Sequence, residues 1–326
     1  MASPPTKARL VDMRIIAGDI GGTKTLLRCI EDGDVVVEER FESKVFPTFD
    51  ALLTEFLSRC NGPVDAACFA VAGPVLEGRA EITNLHWSME AVALAKAFGI
   101  REISLINDFY AVALGVPLLG RGDTLPLHEG KRRPREPIAI LGAGTGLGEA
   151  VVVWSGDQWN VIPSEGGHAD FGPQDEVQTR LLLALLKKYG HVSWERVCSG
   201  MGLENIYEFL SGKAADPARV AALADAGDPI GLQTFAMFVD IYGAEAGNMA
   251  LRVLARGGVY LAGGIAAKNI RFFTDGRFLE AFLRKGRFQE MLREMPIDLI
   301  TDEMVGVRGA AEMARRIASL KRPRWD

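Results

Sequence analysis

Short β-prone runs dominate the opening of the chain. Residues 14–19, 25–30 and 35–41 read as three strands, parted by Gly21-Gly22-Thr23-Lys24 and by Glu31-Asp32-Gly33-Asp34. A helical spacing over 48–60 and a strand at 65–71 follow, then a glycine-punctuated segment to Thr83. Next comes a helix with Ser88 as its cap and Gly99 as its stop, and then a strand at 102–106. The chain thus opens as a strand meander, whereas a dinucleotide fold needs a helix to start at the glycines. The stretch 117–137, rich in Pro, Gly and Arg, breaks the periodicity, and beyond it the meander is repeated. A strand at 138–141 enters Gly142-Ala143-Gly144-Thr145-Gly146-Leu147-Gly148, and strands at 149–154 and 159–162 flank Ser155-Gly156-Asp157. From 174 the chain is mainly helical, with a dense apolar face at Leu181, Leu182, Leu183, Leu185 and Leu186 and a long helix over about 230–256. A strand at 259–261 then enters Ala262-Gly263-Gly264-Ile265, and 309–320 reads as a surface helix able to rejoin the first half.

The repeated layout predicts an internal duplication. At 326 residues the chain is about twice the common domain size, which agrees with two lobes. The expected organisation is a disordered arm over 1–13, a small α/β domain over 14–117 and a large α/β domain over 118–302. A C-terminal helix over about 303–326 rejoins the small domain. A net charge of −5, with one dense basic run at Lys131-Arg132-Arg133-Pro134-Arg135, argues against nucleic acid as a partner. No window reaches the length of a membrane span and no signal peptide is evident, so no membrane partner and a cytoplasmic location are expected. Cys29, Cys60, Cys68 and Cys198 lie far apart without a C-x-x-C pair, the pattern of reduced buried thiols. A homodimer is compatible with the sequence.

Candidate chemistry sits at the glycine turns. Bare backbone N–H groups at Gly21 and Gly22 can line a nest for an anion, and Thr23 adds a hydroxyl; an ordinary hairpin turn explains the pair as well. Gly142, Gly144, Thr145 and Gly146 repeat this chemistry in the second half, and two such turns can grip a polyphosphate from both sides. Gly263 and Gly264 suit a flat nucleobase or ribose, or simply close packing of strand and helix. Glu165-Gly166-Gly167-His168 sets a carboxylate and an imidazole about a glycine pair, which suits polyol hydroxyls; a structural histidine is the plainer alternative. Glu195 reads by itself as a surface acid beside Arg196, and Asn107-Asp108 as a helix N-cap.

These motifs together resemble the bacterial glucokinase family, in the order Asp19-Ile20-Gly21-Gly22-Thr23, Leu105-Ile106-Asn107-Asp108-Phe109, 142–148, Glu165-Gly166-Gly167-His168, Glu195-Arg196-Val197 and Ala262-Gly263-Gly264-Ile265. The resemblance covers about residues 14–318. It implies an α/β, two-lobe actin-like (ribonuclease-H-like) sugar kinase fold with a duplicated strand meander and an interlobe cleft. It further implies ATP-dependent phosphorylation of D-glucose at the 6-hydroxyl, with Asp108 as general base and with Asn107, Glu165, His168 and Glu195 on the sugar hydroxyls. Gly18, Asp19, Ile20, Gly21, Gly22 and Thr23, with Gly142, Gly144, Thr145 and Gly146, are implied at the ATP phosphates, Gly263 and Gly264 at the adenosine, and Asp19 at Mg²⁺ through water. Lys24 stands where this branch usually has Asn, as in the repressor/sugar-kinase relatives, but their Cys-rich zinc motif is absent after His168. Glu303-Met304-Val305-Gly306-Val307-Arg308-Gly309 also departs from the family's usual Pro-Gly-Leu-Leu-Gly. An actin-like ATPase without a sugar acceptor shares the glycine turns but does not require Asn107-Asp108 together with Glu165 and His168. A kinase for another hexose or an N-acetylhexosamine is the alternative within the enzyme class.

Overall fold

The computed structural model describes residues 13–320, so the expected arm lies, but for Met13, outside the described residues, as does the chain beyond Leu320. The chain divides into two units. One runs to Leu118 and resumes at Met304, and the other spans Leu119–Glu303.

The first unit begins with β1 (Arg14–Ile20), β2 (Lys24–Glu31) and β3 (Asp34–Glu42), an antiparallel meander as the alternation predicts. After α1 (Phe49–Leu57), capped by the Thr48 side chain, β4 (Ala66–Val71) enters beside β1, is later flanked on its other edge by a further parallel strand, and is buried along its whole length. A strand paired on both edges and covered on both faces needs such a continuous apolar run. The glycine-punctuated segment holds a small separate sheet of β5 (Val75–Leu76), β6 (Arg79–Ile82) and β7 (Trp87–Glu90). Ser88 therefore lies in β7 and does not cap the next helix. That helix, α2 (Ala91–Phe98), starts after Glu90, and Gly99 closes it in the left-handed conformation. Then come β8 (Glu102–Asn107) and α3 (Asp108–Gly115), and the sheet reads β3-β2-β1-β4-β8.

The stretch 117–137 is not only linker. It supplies β9 (Thr124–His128), whose Pro126 is tolerated because β9 is the last strand of its sheet. The second meander follows as β10 (Ile138–Ala143), β11 (Leu147–Ser155) and β12 (Gln158–Ser164). Helices α4 (Glu176–Tyr189), α5 (Gly200–Ser211), α6 (Pro217–Asp225) and α7 (Pro229–Val253) come next, each started by an Asp or Ser side chain that accepts a backbone N–H. After β13 (Gly258–Ala262) come four short helices: α8 (Gly264–Lys268), α9 (Ile270–Phe273), α10 (Arg277–Leu283) and α11 (Gln289–Arg293). The last strand is β14 (Ile297–Ile300), and the sheet order is β12-β11-β10-β13-β14-β9. Its first five strands repeat the first unit, an antiparallel meander followed by two parallel strands.

The chain then rejoins the first unit as α12 (Val305–Ser319). This helix is not a surface element, because Val307, Ala310, Ala311 and Ala314 pack into a core with Ile15, Ala17, Cys68 and Ala111. The opposite face of the sheet packs against α1 and α2 through Phe49, Phe56, Phe69 and Leu94. Helices α12 and α3 meet backbone to backbone at Gly309, where a Cβ would collide with the Ala111 carbonyl oxygen and come within 2.9 Å of the Gly115 nitrogen. We expect Gly309→Ala to lower unfolding free energy by about 2–3 kcal/mol, since rigid backbone must separate to admit the methyl group. Urea denaturation checks this, and a change under about 0.5 kcal/mol would contradict the close approach.

Candidate active site

Parallel pairing fixes where the first unit's acids lie. Asp19 of β1 is in register with Ala70 of β4, and Ala70 with Ile106 of β8, so Asp19, Asn107 and Asp108 lie at the same carboxyl edge of the sheet. Open α/β sheets bind ligands at that edge. Asn107 is indeed the N-cap of α3, and its Oδ1 accepts from the N–H groups of Phe109 at 2.9 Å and Tyr110 at 3.1 Å. Its Nδ2 donates to the Gly73 carbonyl at 3.0 Å and to Asp108 Oδ1 at 3.0 Å. Capping and positioning are thus one arrangement rather than rival roles. Asp108 Oδ1 also accepts from the Phe109 N–H at 2.8 Å, so one carboxylate oxygen is fixed twice. Burial pushes the Asp108 carboxyl above its ordinary range, against the lowering effect of these hydrogen bonds. Burial, and then the nearby charge of Asp108, raise Asp19 to about 6.

The turn after β1 is braced from below. Gly21 N–H donates to the Lys24 carbonyl at 3.0 Å, and Ser43 N–H to the Thr23 carbonyl at 3.0 Å. The Ser43 hydroxyl donates to the Gly21 carbonyl at 2.8 Å and lies 3.0 Å from the Thr25 hydroxyl. Ser43 and Thr25 therefore shape the turn. Sequence reasoning missed both, and their only signal was polarity at buried positions. Gly18 and Ile20 stand back from the turn, within β1 and its ladders, where a Cβ on Gly18 would press on Leu27 and Phe69. Of the implied phosphate segment, Gly21, Gly22 and Thr23 are the part outside the strands, and Thr23 is exposed.

In the second unit Gly142 likewise lies buried within β10, and Gly144, Thr145 and Gly146 form the turn to β11. The turn is closed by Gly144 N–H donating to the Gly146 carbonyl at 2.9 Å, and by Gly200 N–H donating to the Gly144 carbonyl at 2.8 Å. Ala262, ending β13, pairs with Gly142, so Gly263 and Gly264 emerge beside this turn. Gly263 has φ of 88°, and a Cβ on it would strike the Ala143 carbonyl oxygen, so glycine is required there.

Glu165, His168 and Glu195 are far apart in sequence and come together. The segment 169–171 runs beside 192–194, with Trp194 N–H on the Ala169 carbonyl and Phe171 N–H on the Val192 carbonyl, both at 3.0 Å. His168 Nε2 lies 3.8 Å from Glu165 Oε2, and His168 Nδ1 lies 3.9 Å from Glu195 Oε1. Those gaps are too long for direct hydrogen bonds, but a hydroxyl between the groups can bridge them. Glu165 and His168 are exposed. Glu195 is half-buried, and its Oε2 accepts the Leu147 N–H at 3.0 Å. That bond replaces the expected pairing with Arg196, whose guanidinium stacks over Tyr189 at 4.1 Å. The loop needs its glycines, since a Cβ on Gly167 would strike the Leu147 carbonyl and one on Gly166 would strike the Glu149 carboxylate. Among the described residues no cluster of three or more His, Cys, Asp or Glu could hold a metal, and no helix is long and apolar enough to cross a membrane.

A repeated five-stranded sheet with helices, carrying glycine turns after β1, β10 and β13 and an acid just after β8, defines the actin-like, ribonuclease-H-like sugar kinases. The glucokinase from an Antarctic psychrotroph superposes with a TM-score of 0.86 at 30% identity, over 93% of this chain and 99% of that one. A glucokinase of the ROK family from Streptomyces griseus, solved with glucose and AMPPNP, has a TM-score of 0.62 at 18% identity, over 93% and 99%, and so shares the fold. The glucokinase of Nostoc sp. (strain PCC 7120) is 41% identical over 93% of this chain and 99% of its own length. The chain belongs to the glucokinase family, whose model matches residues 16–317.

We expect Asn107→Ala to destabilise the protein by about 1 kcal/mol, because the Tyr110 N–H at the start of α3 loses its acceptor, while the Phe109 N–H keeps Asp108 Oδ1. Asn107→Asp keeps that acceptor but places a carboxylate beside Asp108, and should raise the Asp108 pKa further. Urea unfolding and a pH titration of the two variants check this; equal stability of Asn107→Ala and wild type would exclude the cap.

Proposed function

We infer that this protein transfers the γ-phosphoryl group of ATP to the 6-hydroxyl of D-glucose, giving glucose 6-phosphate and ADP. Membership of the glucokinase family supports this, and the single observation that carries the chemistry is the state of Asp108. Its carboxylate is half-buried, fixed through Oδ1 and raised in pKa, which is how a general base is prepared for a hydroxyl proton near neutral pH. Phosphoryl transfer asks little else of a protein beyond positioning and charge neutralisation.

In this reading Glu165, His168 and Glu195 hold sugar hydroxyls, where the carboxylates accept and the imidazole can donate, and Asn107 joins them by exchanging one of the two hydrogen bonds its Nδ2 makes to Gly73 and Asp108. Backbone N–H groups about Gly21, Gly22, Thr23, Gly144, Thr145 and Gly146 receive the phosphates, and Gly263 and Gly264 leave room for the adenosine. Asp19 fits a hydrated Mg²⁺, because a buried carboxylate raised to about 6 gains from a cation that favours its charged form, and Mg²⁺ commonly uses one or two carboxylates with waters and phosphates. When bound with ATP, the ion would supply neutralisation of phosphate charge.

We expect ADP release to depend on added glucose, on divalent metal and on sugar identity across a panel of hexoses. A rate independent of sugar would overturn the reading. Asp108→Asn should lower kcat by about 10²–10⁴ with glucose binding and melting temperature retained, because Asn107 does the capping. Turnover near wild type would remove Asp108 from the chemistry. Ala substitution of Glu165, His168 or Glu195 should raise KM for glucose about tenfold or more, with KM for ATP little changed. Steady-state kinetics on each variant separate the two.

A further inference from the structure

Under the loop that carries Glu165 and His168 lies a carboxylate that phosphoryl transfer does not use. Glu149 of β11 stands opposite Ser164 of β12, is 2% exposed, and has no hydrogen-bond partner on either carboxylate oxygen among the described residues. Beside it is a second buried acid, Glu245 of α7. Glu245 is well provided for. Its Oε2 accepts from Asn248 at 2.8 Å, its Oε1 pairs with Arg252 at 2.5 Å, and Lys285, held by Asn248 at 2.7 Å, adds a second nearby positive charge. The other titratable groups facing this place are Cys198, just before α5, and Tyr242 of α7, both held neutral by burial. The Tyr242 hydroxyl already donates to the Leu141 carbonyl at 3.1 Å and accepts from Ala143 N–H at 3.2 Å, so it has no proton for Glu149.

Two adjacent carboxylates in an interior cannot both stay charged, and the one without a cation takes the proton. We propose that Glu149 and Glu245 form a buried acid–carboxylate pair sharing one proton, and that Glu149, in its neutral form, is the positioning residue for the Glu165–His168 loop. The proposal rests on the reading of that loop as sugar-binding. The link is steric and direct. Gly166 lies on the Glu149 carboxyl so closely that a Cβ would collide with Oε2 and sit 3.0 Å from Cδ. Ionisation would place a second negative charge under that glycine, draw in water and displace the loop.

Burial, then the Glu245 charge, push Glu149 from 4.5 to about 7. The folded state therefore holds a proton that the unfolded chain releases across this window. The associated stability is full below about pH 4.5, falls as pH rises toward about 7, and stays lost above it.

The test uses the full chain with Glu149→Gln, which keeps the shape and stays neutral, Glu149→Ala, which empties the space, and His168→Ala as reference. For wild type, KM for glucose should rise several-fold between about pH 6 and 8.5, whereas in Glu149→Gln it should stay near the low-pH value. Glu149→Ala should raise KM for glucose about tenfold at every pH, and KM for ATP should follow neither change. Infrared spectra should show the carbonyl stretch of a buried protonated carboxyl below about pH 7, absent from Glu149→Gln. Identical pH courses for wild type and Glu149→Gln would overturn the positioning role. A missing infrared band in a protein whose glucose KM still responds to His168→Ala would overturn the shared proton. A glucose KM indifferent to His168→Ala, with the band present, would instead overturn the sugar-loop reading and leave the proton pair standing.

Discussion

Parallel register is the constraint on which the chemistry of this protein depends. Because β1, β4 and β8 run the same way and in register, their carboxyl ends coincide, and whatever residues stand there become neighbours without any contact being legible in sequence. Asp19 and Asp108 are 89 positions apart, yet each acid's surroundings include the end of the same three strands. The same rule acts on β10 and β13, where it brings Gly263 beside the 144–146 turn. A one-residue slip in either sheet would turn every side chain of the slipped strand to its other face. The buried length of β4, apolar throughout, holds the first register; β13, also buried throughout, holds the second.

What the strand ends carry is kept at a cost in stability. Asp19 at about 6 and Glu149 at about 7 are both raised by burial first, and each lowers stability at neutral pH relative to a chain with a neutral group there. Asp108 is raised in the same direction for the same reason. Groups raised by burial in this way gather at functional sites more often than elsewhere, because such sites keep unfavourable groups that stability alone would remove. The surrounding structure offsets this with hydrogen bonds that fix geometry. Asn107 alone makes bonds to Phe109, Tyr110, Gly73 and Asp108.

Elements with a strong local period were readable from sequence, and those defined by partners were not. The two meanders could be read because alternation and glycine turns are local signals. The strand β9 was hidden in an apparent linker because its Pro126 speaks against a strand everywhere except at an edge. Ser88 looked like a cap because β7 is only four residues long. The burial of α12 could have been inferred from its small residues, Gly306, Gly309, Ala310, Ala311 and Ala314, a stripe that suits close helix packing more than a surface. At the site, the resemblance to a family named the residues, but residue pattern alone could not pair Glu195 with the Leu147 N–H, 48 positions away. Nor could it point to Ser43 and Thr25 beneath the first turn.

The two departures from the family pattern are explained by what the backbone requires at those positions. Residue 24 serves the first turn through its carbonyl, which accepts the Gly21 N–H, while the Lys24 side chain is exposed. Asn and Lys meet that requirement equally, so the substitution leaves the turn intact and alters only the charge displayed at its rim. In the segment 303–309 the close approach falls on Gly309, packed on Ala111, and Val305 packs on Gly115 from the other side. Glycine at 309 is under constraint from the backbone, and Val305 and Val307 from burial, while the exposed Glu303 can vary. The demand at position 24 falls on the backbone carbonyl and survives a change of residue type, whereas the demand at 309 is for the absence of a Cβ and is met by glycine alone.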